Sequence, residues 1–256
     1  MKRLYILLTN ALFVCGTTCA KAQTISFPDE KFKNALIEQG FDTNKDGNIQ
    51  KSEAAKVKVL YVTKAGITSL AGIKNFINLE DLGFYDNKLK TVDLEGMQNL
   101  KFVYGFKNEI TQLKLKGCTK LEILAMDNNL LTSIDLTGLT ELREIDINWN
   151  TLQSVDLSNK PKLVKVSLWD NQITKFKVSN SPELQDLRLS RNLIEEIDLR
   201  SCTKLLNVSL VDNPLRKIDV TGLTELRELD CEGINRRNYL KQLNTSGLIK
   251  IEKYRW

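Results

Sequence analysis

The chain has 256 residues, with 37 Lys and Arg against 32 Asp and Glu, and no histidine. The missing histidine excludes Ser–His–Asp and Cys–His nucleophile systems, histidine general bases, and histidine-ligated zinc, copper or haem. A formal charge of +5 is too small and too diffuse to point to a nucleic-acid partner.

The chain opens with Lys2 and Arg3, a mostly apolar run from Leu4 to Val14, and then Ala20-Lys21-Ala22. This order of charge, apolar run and small residues reads as an export signal over residues 1–22, cleaved between Ala22 and Gln23. Its apolar part, about 11 residues, is too short to span a bilayer. No later apolar run reaches that length either. The mature chain is therefore expected to be extracellular or periplasmic, monomeric and without a membrane span. Loss of Lys2, Arg3 and Lys21 leaves 34 basic against 32 acidic residues.

Residues 23–56 read as a small helical cap. FPDEKFKNALIEQG sets Phe32, Leu36 and Ile37 on one side of a short helix, closed by Gly40. DTNKDGNIQKSE follows, with oxygen donors at alternate positions. Asp42, Asn44 and Asp46 are first, third and fifth. Gly47 is at the sharp turn, and Asn48 would offer its backbone carbonyl. Gln50 would act through water, and Glu53 would bind with both oxygens. This resembles the calcium loop of EF-hands, and a hard cation needs such converging oxygens. The expectation is one structural calcium ion and no organic cofactor. Two features depart from the EF-hand pattern: the loop is single, and only three of its donors are acids. The alternative is a loop that keeps this shape without metal.

From residue 57 to 234 the chain repeats. Leu79, Leu100, Leu121, Leu142, Leu163, Leu184, Leu205 and Leu226 stand 21 apart. Eight positions after the first seven of them come Asn87, Asn108, Asn129, Asn150, Asn171, Asn192 and Asn213, and the series ends at Ile234. A second apolar pair follows in each copy, as in Val92/Leu94 and Ile218/Val220. The unit is LxxLxLxxNxLxxLxLxGxxx. A 22-residue copy without the Asn precedes it, with Val57, Leu60 and Val62 in phase. The total is about nine copies. Alternating apolar residues make a short strand with one buried face. The Asn amide, able to donate and accept, suits a turn whose backbone groups need partners. One copy cannot bury enough surface alone, so neighbours must stack.

This pattern resembles the leucine-rich repeat family, over about 70% of the chain. The short unit, with its LDL second strand, is most similar to bacterial internalin-type proteins, and among them to the 21-residue internalin J style. The resemblance implies a leucine-rich repeat solenoid of short parallel strands and loops, in the α/β repeat superfamily, with a helical cap. It also implies adhesion or contact with a host protein.

Cys118 and Cys202 occupy the same repeat position four copies apart, so stacking at about 4.8 Å separates them by about 19 Å, against about 7 Å for a disulfide. Cys231 takes the buried sixth position of the last copy. All three are expected to be reduced.

The third, fifth and seventh residues of each copy point away from the core. Phe102, Tyr104 and Phe106 alternate on one strand with Tyr85 beside them. Trp149 and Trp169 form a second group, with Arg188 and Arg191 nearby. Clustered aromatics suggest a surface for a protein ligand. A glycan- or peptidoglycan-binding periplasmic module is the alternative, and a carboxylate hydrolase a remote one. Glu144 and Asp146 follow the strand pleat as solvated charges would. No phosphate loop or nucleophile elbow appears, and no basic stripe suggests nucleic acid. No enzyme is expected.

Residues 235–256 are basic and leave the repeat. They read as a C-terminal cap, a short helix and then a strand with Ile249 and Ile251 on one face, or else as a flexible tail. No anchor or sorting signal is read in this tail, which departs from the usual internalin plan, although a cell-surface role stays among the expectations.

Overall fold

The computed structural model describes residues 23–232 together with two strands at Gln242–Asn244 and Lys253–Arg255. The export signal at 1–22, Ile234, Ile249 and Ile251 lie outside the described residues.

The cap begins with helix α1 (Glu30–Glu38), which buries Phe32 and Leu36 and half-buries Ile37. It stops in a hydrogen-bonded closure. Gly40, at φ +81°, donates to the Ile37 carbonyl, and Phe41 donates to the Leu36 carbonyl. A second, one-turn helix, α2 (Lys51–Ala54), follows the acidic loop. Phe27 meets Phe32 edge to face at 5.4 Å, and the cap core runs without a break into Val57, Leu60 and Ile67.

Each turn of the repeat then adds one three-residue strand to a parallel ten-stranded sheet. The strands start at Val59, Asp81, Phe102, Ile123, Glu144, Lys165, Asp186, Asn207, Glu228 and Lys253. Asp81 pairs with Phe102, and Phe102 with Ile123, so the register advances one repeat at a time. The last step is longer: Glu228 pairs with Lys253. The fold is a leucine-rich repeat solenoid. Its core is the stack of first, fourth and sixth positions, with Leu79, Leu82 and Phe84 repeated down the array.

The second apolar pair builds a discontinuous sheet on the opposite side. Thr91–Asp93 pairs with Gln112–Lys114, Ser154–Asp156 with Lys175–Lys177, and Glu196–Asp198 with Lys217–Asp219, which also pairs with Gln242–Asn244. One break falls at Phe176, the bulkiest residue at its position and only half-buried. Phe176 and Ile197 there line a depression of about 370 Å³ with the charged Glu196, Asp198, Arg200, Lys217 and Asp219.

The asparagines stitch successive turns together. Asn129 Oδ1 accepts from the Ile110 amide of the turn before, at 3.0 Å. Its Nδ2 donates to Gly105 of that turn and to Met126 of its own, both at 3.0 Å. Asn108, Asn150, Asn171, Asn192 and Asn213 repeat this pattern. Asn87 accepts from both Ala65 and Ile67, so it does the same work for the first turn, which has no Asn. The residue before each Asn is left-handed, from Asp86 at φ 60° to Asp212 at φ 58°.

The three cysteines are free. Cys118 and Cys202 are buried. Cys231 is only half-buried, not buried as its repeat position suggests, and burial still pushes its thiol pKa up to about 12.

Candidate binding surface

The open face of the ten-stranded sheet carries two aromatic groups. Tyr85, Phe102, Tyr104 and Phe106 come together at its start. Tyr85 and Phe106 stack at 4.4 Å with an 8° tilt. Tyr104 stacks at 6.4 Å and 20° on Tyr61, which the reading of the sequence missed. Tyr61 belongs to the 22-residue first turn. Carrying the repeat phase one copy further back places both Val59 and Tyr61 on this face. They are 54% and 38% exposed.

Gly83 lies between Tyr61 and Tyr104 in the sheet and makes room for the first ring. A Cβ added at Gly83 would stand 2.3 Å from Tyr61 Cδ1. The Tyr61 hydroxyl donates to Asp81, with both carboxylate oxygens at 2.9 Å. Burial and the Asp81 carboxylate push the Tyr61 pKa well up, so the phenol stays protonated. Burial, Asp81 and Glu144 push Tyr104 in the same direction.

Trp149 and Trp169 form the second group, edge to face at 3.9 Å. Trp149 takes the left-handed position before Asn150, at φ 49°, where neighbouring turns place Lys, Asp, Asn or Arg. A bulky side chain in that conformation costs roughly 1–2 kcal/mol. Trp169 is fixed from below: its amide donates to Asn148 Oδ1 at 2.9 Å, and the Asn148 amide donates to Asp127 Oδ1 at 2.7 Å. Burial pushes the Asp127 carboxyl up, against the Asn148 amide that holds it down.

Arg188 and Arg191 lie one turn beyond Trp169, and their charged heads are engaged. Arg188 clasps Asp186 at 2.8 and 3.0 Å, and Arg191 pairs with Asp170 at 3.2 Å. Glu144 and Asp146 share Lys165, at 3.8 and 3.2 Å.

The loop from Asp42 to Glu53 is closed by its own hydrogen bonds. Asp42 accepts from Gly47 at 2.8 Å, and Asp46 accepts from Gln50 Nε2 at 2.7 Å and Asn44 Nδ2 at 3.0 Å. Asn48 donates its amide to Asp46. Glu53 Oε1 accepts from the Thr43 amide and hydroxyl, both at 2.7 Å, and its Oε2 from Gln50 N at 2.9 Å. Burial raises the Glu53 pKa, but the Gln50 and Thr43 donors outweigh it, so the carboxylate lies below its usual range. The all-oxygen donor set is right for calcium. Among the described residues no three acidic, Cys or His side chains converge, so any cation here would also need the Asn and Gln oxygens.

No described helix is long and apolar enough to cross a membrane. No family model and no curated protein matches the sequence. Solved structures do match the fold. Internalin C2 from Listeria monocytogenes is similar over 78% of this chain and 92% of its own, at 24% identity and TM-score 0.59. YopM from Yersinia enterocolitica is similar over 88% of this chain, at 24% identity and TM-score 0.62. TLR13, solved in complex with a single-stranded RNA, is similar over 71%, at 19% identity and TM-score 0.53. The chain spans 52% of YopM and 31% of TLR13. These likenesses establish the leucine-rich repeat fold.

Proposed function

We propose that this chain is an exported, non-enzymatic binding protein that holds a protein ligand on the open face of its long sheet. The observation that carries this is the patch of Tyr61, Tyr85, Phe102, Tyr104 and Phe106 on three consecutive turns, each ring only partly covered. Partly exposed aromatics in a contiguous cluster are the usual anchors of an interface. The Trp149–Trp169 pair extends the surface. Export rests on Lys2, Arg3 and the apolar run before Ala22. An adhesion or host-contact role of the internalin type is analogy from the fold. A glycan is the weaker reading, because Tyr85 and Phe106 cover each other's faces and leave little flat surface for a sugar ring. Replacing Tyr104, Phe106 and Trp169 together with Ala is expected to abolish capture of extracellular proteins in a pull-down and to leave a glycan array blank before and after. Capture undiminished by all three substitutions would overturn the proposal.

We also propose that calcium binds the Asp42–Glu53 loop weakly. A cation would have to draw Asp46 and Glu53 off the Asn44, Gln50 and Thr43 donors that now satisfy them. That exchange leaves little net gain.

A further inference from the structure

We propose that the ligand of the open face is a cationic polypeptide segment, its Lys or Arg side chains seated between the aromatic rings and the carboxylates beside them. This rests on the binding role proposed above and names the chemistry of the partner. At the third, fifth and seventh positions of the nine strands from Val59 to Asp230 stand eight carboxylates and two cations, a balance of −6. Without residues 1–22 the chain carries +2, so the rest of it carries +8. The acidity therefore belongs to this face and is not inherited from composition.

The cations on the face are already committed. Lys165 serves both Asp146 and Glu144, and Arg188 serves Asp186. Asp81 accepts the Tyr61 hydroxyl, and among the described residues it forms no salt bridge. Each aromatic group thus has a carboxylate at its base: Asp81 under Tyr61 and Tyr104, and Asp127 behind Asn148 and Trp169. Ring faces attract cations, guanidinium more often than ammonium, and a desolvated carboxylate adds to that attraction. An anionic ligand, including a nucleic acid, would meet like charge along the same strands.

The test uses the full chain and three labelled peptides of equal length. In each, leucine and tryptophan alternate with arginine, serine or glutamate, and binding is followed by fluorescence anisotropy. The arginine peptide is expected to bind at least roughly tenfold more tightly than the glutamate peptide. Its affinity is expected to fall as salt shortens the screening length from about 10 Å at 0.1 M to about 3 Å at 1 M. Asp81→Asn and Asp146→Asn should each weaken it with unchanged circular dichroism. Equal binding of the three peptides, no binding of any, or wild-type affinity in both variants would overturn the inference. The two proposals fail separately. If Tyr104→Ala/Phe106→Ala loses its captured protein while peptide charge makes no difference, the face binds but not by charge. If the arginine peptide still binds that variant fully, its site is elsewhere.

Discussion

The carboxylate of Asp29 ties the cap to the first repeat through Thr68, 39 residues away. Oδ2 accepts from the Thr68 amide at 2.6 Å, the Thr68 hydroxyl at 2.7 Å and the Ser69 amide at 3.0 Å. Oδ1 meanwhile caps α1, accepting from Lys31 at 2.9 Å and Phe32 at 3.2 Å. One side chain thus holds both a helix start and the junction that seals the array. Asp29→Ala is expected to cost about 2–4 kcal/mol, as the loss of a cap together with charge-assisted bonds. Urea unfolding would measure it.

The same residue makes a pH prediction. Burial pulls its pKa up, but the Thr68, Phe32 and Ser69 donors pull it down further, to below the usual 3.8. A depressed folded pKa means stability that is present above about pH 4 and lost as pH falls through the folded value. Glu53, depressed below 4.5, acts with the same sign. Melting curves from pH 6 to 3 should show a shallower fall in Asp29→Asn than in the parent chain.

Asn150 is buried, accepts from Leu131 N at 2.9 Å and donates to the Met126 carbonyl of the turn before at 3.0 Å. Asn150→Ala orphans both groups and should cost about 2–5 kcal/mol. Asn150→Asp keeps the acceptor and loses the donor, so it should also destabilise. Chemical denaturation midpoints would decide. Unchanged midpoints would mean that water replaces the ladder at no cost.

Lys160 is 3% exposed at a position where other turns place Met97, Leu139 and Leu223. Its ammonium donates to the Ser158 carbonyl at 3.2 Å. Burial lowers its pKa, with Asp156 and Asp135 opposing. A lowered folded pKa makes the native state prefer the neutral amine, so this site favours folding more as pH rises toward 10.5. Lys160→Leu is expected to raise stability by about 1–3 kcal/mol at neutral pH. It should also remove that alkaline slope.

Gly105 holds a sixth position where its neighbours are Phe84 and Met126. A Cβ there would stand 2.2 Å from Phe84 Cε2 and 2.8 Å from Met126 Sδ, both fully buried. Gly105→Ala should therefore cost about 1–3 kcal/mol by overpacking. Gly83→Ala, which meets the exposed Tyr61 ring, should leave the melting temperature closer to wild type while weakening ligand capture.

Calcium at ten times its dissociation constant would add only about 1.4 kcal/mol. A small rise in melting temperature is expected between EDTA and millimolar calcium, abolished by Glu53→Gln. Identical curves would dismiss the ion and leave the hydrogen-bonded loop as the whole cap.

The period of 21 residues alone determined the solenoid, the strand positions, the buried leucines and the asparagine ladder. In a stacked array each turn contacts only its neighbours, so one repeat written in sequence dictates the next contact in space. The same period placed Phe102, Tyr104 and Phe106 on the open face. Only the tertiary structure decided what breaks the period. Tyr61 comes from an irregular first turn without Asn, and its ring reaches Tyr104 only because Gly83 is empty between them. The engagement of Arg188 by Asp186, the seating of Trp169 on Asn148 and the bond from Asp29 to Thr68 depend on where side chains end, which spacing along the chain does not encode. Backbone periodicity is inherited from the repeat, whereas side-chain pairing is settled by packing and charge among the residues each turn happens to carry.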